Sequence, residues 1–276
     1  MYAITQTLIY ATALGAALQT ALALPTNESR HVPRAAGQVI TACSVPNTIA
    51  ITFDDGPYKW TRQIVDALNA AGAKGFVIMK PDRYLEANDS ETRTFFVNGN
   101  NYGCIYDSPN ADNIKYAYDQ GHQIASHTWA HKRLSTLPPA EIQSEFDKTN
   151  DAIKKITGAV PAFMRPPFGA YNSDVVEVAA ATGQTVTIWD FDSGDSAGKS
   201  ASQSEDDYEQ LINTKPNSIL TLNHETYCEF SNVLLPAVLD KLRGKGYKLV
   251  TVAECLGEDP YISTGTPAKP DASWTC

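Results

Sequence analysis

Positive charge is in short supply: 22 Lys and Arg face 31 Asp and Glu across 276 residues, leaving a formal charge of −9. A surface with that balance cannot neutralise a phosphate backbone, so no nucleic-acid partner is expected. Charge of either sign is sparse, at 19% against 43% hydrophobic residues. That excludes a disordered chain and supplies enough apolar material for a sizeable core. Cysteine is limited to Cys43, Cys104, Cys228, Cys255 and Cys276. No pair has zinc-finger spacing, and five thiols form at most two internal bridges, which suits an oxidising compartment. Internal repeats and low-complexity blocks are also missing.

From Met1 to Asn27 there is no Asp, Glu, Lys, Arg or His, and the mostly apolar stretch 8–24 runs through the small-residue pattern Ala21-Leu22-Ala23. Residues 1–23 read as a cleaved secretory signal and 24–36, with Arg30, Pro33 and Arg34, as a short pro-segment. A membrane anchor is the competing reading, but Thr7, Thr12, Gln19 and Thr20 dilute the run. No later stretch approaches the roughly 20 apolar residues a span needs, so a secreted protein with no integral membrane association is expected. Sequons at Asn27 and Asn88 permit glycosylation in a eukaryotic host.

The remainder fits one α/β catalytic domain over 37–256, followed by an irregular tail over 257–276 rich in Pro, Thr, Ser and Gly. Strands are predicted at 48–53, 94–97, 123–126, 162–165, 185–189, 218–222 and 247–252. Helices are predicted at 61–71, at 140–156 with Ile142, Phe146, Ile153 and Ile156 on one face, and at 236–243. About seven strands alternating with helices give a mostly parallel sheet, either a doubly wound layer or, as we favour, a distorted (β/α) barrel. Closure of a barrel makes first and last strands neighbours, which pairs Cys43 with Cys255. Cys228 with Cys276 is the weaker second expectation, leaving Cys104 free. A monomer is expected.

Chemistry-bearing residues collect at the predicted strand ends. Thr52-Phe53-Asp54-Asp55-Gly56-Pro57 closes the first strand with adjacent carboxylates, one able to hold a cation while the other takes a proton. The alternative is an Asp-Gly-Pro turn with solvated acids. In Ser126-His127-Thr128-Trp129-Ala130-His131 the imidazoles stand at i and i+4, which a helical turn would face the same way. With Asp55 they make a two-nitrogen, one-carboxylate set that leaves coordination positions open. Arg165-Pro166-Pro167-Phe168-Gly169, Asp192-Ser193-Gly194-Asp195 and Leu222-Asn223-His224 each follow or close a further strand.

In order and spelling these five motifs resemble the polysaccharide deacetylases of carbohydrate esterase family four, the NodB-homology domain, over roughly 48–252, and the wording is most like that of fungal chitin deacetylases. The resemblance implies that Asp55, His127 and His131 hold a divalent metal, zinc or alternatively cobalt. It makes Asp54 the general base on the attacking water, oriented by Arg165, and His224 the general acid, kept charged by Asp195. Oxyanion stabilisation falls to the backbone N–H of Phe168 or its neighbour Tyr171, and Leu222 lines the acetyl pocket. Trp129 and Tyr171 are candidates for stacking on sugar rings, with burial in the core as the alternative.

Two departures from the family pattern stand out. Ser196 occupies a position after the fourth motif where the family usually has Trp, and residues 75–93 look inserted, as a loop or a translated intron. The implied activity is removal of acetyl groups from N-acetylglucosamine in chitin or chitooligosaccharides. Acetylated xylan or peptidoglycan as substrate, and a sugar-binding pseudoenzyme, are the alternatives.

Overall fold

A segment as apolar and β-branched as Thr48-Ile-Ala-Ile-Thr-Phe suits a strand buried on both faces. The computed structural model describes residues 37–72, 92–227 and 235–276, all within one compact unit, His31–Cys276. The expected signal, pro-segment and sequons, the inserted stretch apart from its last residues, and Cys228 lie outside the described residues. After the two-residue strand β1 (Val39–Ile40), that apolar segment forms β2 (Thr48–Ala50) and β3 (Thr52–Gly56), every residue of both buried. Helix α1 (Thr61–Gly72) follows, then β4 (Thr94–Val97), α2 (Ser108–Asp119) and β5 (Gln123–Ser126).

Helix α3 (Pro139–Thr157) is bounded as its sequence dictates, with proline in the first turn and Gly158 left-handed at the end, φ 83°. Its buried face carries Ile142, Phe146, Ile153 and Ile156, and also Glu145. The chain continues through β6 (Ala159–Pro161), β7 (Phe163–Met164), α4 (Ser173–Ala181), β8 (Thr185–Thr187), β9 (Phe191–Asp192) and α5 (Ala201–Asn213). It ends with β10 (Ser218–His224), α6 (Leu235–Gly244), β11 (Lys248–Val250), α7 (Val252–Leu256) and β12 (Tyr261–Thr264).

Parallel pairing runs β10–β3–β4–β5–β7–β8. Strands β8 and β9 lie on one stretch, 185–192, whose far end pairs Phe191 and Asp192 with Thr221 and Leu222 of β10. The ring therefore closes, and the fold is the distorted barrel rather than an open doubly wound layer. Strands β2 and β11 continue it below β10, in register Thr48↔Lys248. Among the described residues no helix is long and apolar enough to cross a membrane.

Because β11 pairs with β2, Cys43 and Cys255 meet as expected, with Cα atoms 5.1 Å apart. The bond closes a 212-residue separation, and replacing both cysteines by serine is expected to cost about 2–5 kcal/mol of stability, read from urea unfolding. The second bridge corrects the sequence reading. Cys276 pairs with Cys104, not with Cys228. The physical reason lies in the tail, which is not wholly irregular: β12 pairs antiparallel with β6, and the Ala268 N–H donates to the Lys155 carbonyl. Where the tail crosses the end of α3, a Cβ on Gly158 would stand 2.2 Å from the Gly265 carbonyl oxygen, so only glycine fits. Trp274 then packs on Tyr106, two residues beyond Cys104, at 5.2 Å between ring centroids.

Candidate metal centre and acid–base pair

Neighbouring residues of a regular strand point to opposite faces, which would separate Asp54 from Asp55. Strand β3 avoids this by a register shift against β4 between Phe53 and Gly56, with Asp55 in the left-handed region at φ 69°. Both acids then reach the same imidazole. His127 Nε2 lies 3.7 Å from Asp54 Oδ2 and 3.7 Å from Asp55 Oδ1. The two residues are 2% and 8% exposed, so they are not the solvated acids of a surface turn.

His127 extends β5, donating its backbone N–H to the Val97 carbonyl. Its Nδ1 faces the Arg165 carbonyl at 2.8 Å. A carbonyl only accepts, so Nδ1 carries the proton and the Nε2 lone pair points at the acids. The next residues do not form the helical turn inferred from the i, i+4 spacing. Thr128 and His131 have φ of 71° and 51°, outside a right-handed helix. Side chains from elsewhere hold this path: Asn98 donates to the carbonyls of His127 and Thr128, and Glu145 of α3 accepts the Ala130 N–H at 2.7 Å. The loop delivers His131 Nε2 to within 3.2 Å of Asp55 Oδ1.

Ligand atoms of Asp55, His127 and His131 all lie within 4.8 Å of one another. Burial holds both imidazoles below their ordinary pKa against the pull of the nearby carboxylates, so they stay neutral with free lone pairs. Burial likewise raises Asp55, only partly offset by His127 and His224. A divalent cation fits this set, two neutral nitrogens and one carboxylate oxygen, and would favour the ionised form of Asp55. Asn101 Nδ2 donates to Asp55 Oδ1 at 3.3 Å, a support to that carboxylate supplied by the loop after β4.

Arg165 is fully buried and places Nη1 2.8 Å from Asp54 Oδ1. Its other bonds go to the Thr52 hydroxyl and the carbonyls of Thr187 and Ile188, and its guanidinium lies 4.2 Å over the Phe96 ring. Opposite, His224 closes β10 in register with Asp54. Asp195 grips it twice, Oδ1 at 2.7 Å from Nδ1 and Oδ2 accepting the His224 backbone N–H at 2.7 Å. Burial pushes the His224 pKa down, but the hydrogen bond and charge of Asp195, with the charges of Asp54 and Asp55, outweigh it and leave the imidazole at about 9. Ser196 gives its N–H to Asp195 Oδ1, and the ring that approaches His224 is Tyr227, edge-on at 6.0 Å.

Phe168, at φ 61°, turns an exposed ring onto His131 at 4.8 Å and under the Arg133 guanidinium at 4.5 Å. Tyr171 is 42% exposed just beyond it, and Leu222 is buried two residues before His224. Trp129 is placed differently. A Cβ on Gly99 would lie 1.9 Å from its ring, which packs toward the core cluster beneath that loop. Sequence reasoning did not single out Asn98, Asn101 or Glu145. Only Glu145 left a signal, as a charge on the apolar stripe of α3.

The family model for polysaccharide deacetylase matches residues 42–187. A chitin deacetylase of Pestalotiopsis sp is 33% identical over 228 residues, 80% of this chain and 68% of that protein. A probable peptidoglycan-N-acetylglucosamine deacetylase of Arthroderma benhamiae is 36% identical over 226 residues, 80% of this chain and 47% of that protein, so the chain spans about half of that relative. The solved chitin deacetylase of the fungal pathogen Colletotrichum lindemuthianum superposes with a TM-score of 0.70 at 30% identity, covering 82% of this chain and 94% of that one.

Proposed function

The chain belongs to the polysaccharide deacetylase family, and from that premise we propose that it is a secreted, metal-dependent hydrolase of the N-acetyl groups of N-acetylglucosamine residues in chitin or chitooligosaccharides. The observation that carries the reading is the division of labour between two buried neighbours, Asp55 beside both imidazoles and Asp54 on Arg165. Two relatives are named for acetylated glucosamine polymers, and the two disulfides suit an oxidising compartment.

A zinc ion, or cobalt in its place, held by Asp55, His127 and His131 would polarise the amide carbonyl and make water a better nucleophile near neutral pH. Asp54 takes the proton from the attacking water as its oxygen bonds to the carbonyl carbon, and Arg165 fixes the orientation of that carboxylate. Negative charge building on the carbonyl oxygen meets the N–H of Phe168 or Tyr171. The C–N bond breaks only when the nitrogen is protonated, since an amine anion leaves poorly, and His224 supplies that proton. Asp195 keeps His224 charged for the task. Leu222 offers an apolar wall to the acetyl methyl group, and Phe168 and Tyr171 offer exposed rings to the sugar. Trp129 supports the loop at Gly99.

The second substrate class, peptidoglycan, is favoured by the Arthroderma relative, since the same amide is cut. The purified protein should release acetate from N-acetylglucosamine oligomers, lose that activity to a chelator and regain it with zinc. Acetate from peptidoglycan alone moves the substrate to the bacterial wall, and acetate from acetylated xylan alone overturns the amide assignment. Tight oligosaccharide binding with no acetate from any of them leaves a sugar-binding protein.

A further inference from the structure

Glu225 follows directly on His224 and is wholly buried. Its backbone N–H donates to the Asp54 carbonyl at 2.9 Å, continuing the pairing of β10 with β3. Its side chain turns into the bend that carries Asp54 and Asp55 into α1. A Cβ on Gly56 would lie 1.8 Å from Glu225 Oε1, so the carboxyl group occupies the space that glycine leaves open. The other oxygen, Oε2, is hydrogen-bonded to the hydroxyl of Thr61, the first residue of α1.

The protons around Thr61 can be counted. Its hydroxyl accepts the Tyr58 N–H at 2.9 Å and has one proton, with the Tyr58 carbonyl at 2.8 Å and Glu225 Oε2 as competing acceptors. The Tyr58 carbonyl also accepts the Thr61 backbone N–H at 3.0 Å, so the hydroxyl proton is free to go to either acceptor. With the proton on Glu225, the acid donates to Thr61 and Thr61 donates to the Tyr58 carbonyl, so these contacts accommodate a neutral acid. Complete burial favours that form, pushing the Glu225 carboxyl up to about 8 against the Thr61 hydrogen bond, with the charges of Asp55 and Asp54 adding to the rise. Oε1 has no hydrogen-bond partner among the described residues. An ionised carboxylate buried with a bare oxygen is costly, whereas a neutral acid is tolerated.

We propose that Glu225 is a positioning residue, a neutral buried acid that clamps the Asp54–Gly56 bend onto the start of α1 and so sets the general base and the ligand carboxylate side by side. No charge at Glu225 is needed for this, only its shape and one donated proton. The role rests on the reading of Asp54 and Asp55 given above.

The test compares Glu225→Gln, Glu225→Asp and Glu225→Ala by three measurements: kcat for acetate release from an N-acetylglucosamine oligomer, zinc affinity by chelator competition, and thermal unfolding. Glutamine keeps the length and a donor, so both kcat and zinc affinity should stay within about threefold of the parent. Aspartate is one methylene too short to reach Thr61, and alanine leaves the bend unfilled. Each of these should lose at least about tenfold in kcat and in zinc affinity, the range found when a group supporting a metal ligand is removed. If alanine prevents folding, aspartate still decides. Glutamine as damaged as alanine overturns the neutral clamp, and so does a set of variants that lose only thermal stability while kcat and zinc affinity stay at the parent level. Absence of acetate from the parent protein would refute the proposed activity alone, because zinc affinity still reads Glu225.

Discussion

Replacing Asp54 with asparagine should lower kcat for acetate release by about 10²–10⁴-fold, the contribution of a positioned general base, while KM and zinc affinity change little. The carboxamide keeps the size of the side chain and an oxygen to accept the Arg165 bond now made at 2.8 Å. It cannot take a proton from water. The ligand set Asp55, His127 and His131 is untouched. A cost in stability is also expected, because the change leaves the buried Arg165 without its counter-charge, and breaking such a pair can cost about 3–5 kcal/mol. The Thr52 hydroxyl and the carbonyls of Thr187 and Ile188 still hold the guanidinium, which should keep the loss toward the lower end. Thermal unfolding of the variant separates the two effects. A folded Asp54→Asn protein with full turnover would remove Asp54 from proton transfer.

Strand positions were legible because a strand buried in a closed barrel reads as an apolar run, and catalytic groups of such folds stand at the carboxyl ends of those strands. By that logic Asp54, Asp55, His127 and His224 stand out as candidates in the sequence alone. It could not locate how they converge. The bulge in β3 and the left-handed residues Thr128 and His131 are backbone conformations imposed by contacts from β4 and α3, far away in sequence. Four of the non-glycine residues with positive φ, Asp55, Thr128, His131 and Phe168, lie in this one site. Such strain persists only where surrounding structure over-determines it, which is why a helical reading of the His-x-x-x-His spacing failed. The Cys104–Cys276 bond was illegible for a related reason. It depends on β12 pairing with β6, and a four-residue strand in a tail rich in Pro and Gly has too little pattern to be read alone. Short helix α7 did leave a signal in its capping box, Thr251 with Glu254.

The second large effect concerns the acid. His224→Ala should cost about 10²–10⁴-fold in kcat, since amine departure then depends on water for its proton. Asp195→Asn is the more informative change. Without a bound cation the His224 pKa is raised to about 9, so the acid is protonated through the neutral range, and activity is expected to fall on the alkaline side. Burial is the largest influence on this imidazole and acts downward, and the hydrogen bond and charge of Asp195 lead the opposition. A bound cation would offset much of the charge of Asp54 and Asp55, which leaves Asp195 as the principal support in the loaded enzyme. Removing that charge should therefore shift the alkaline limb of kcat/KM to lower pH by about 1–3 units, with activity at acidic pH retained. The direction follows from the sign of the group: a base that loses its counter-ion gives up its proton earlier. Asp195 Oδ1 faces both the His224 ring and the Ser196 N–H while Oδ2 accepts the His224 backbone N–H, so a carboxamide with one oxygen cannot serve all three donors. A limb that stays near its original pH in this variant would place the proton donor elsewhere, and a uniform loss at every pH would mean that Asp195 holds the end of β10 in place without tuning His224.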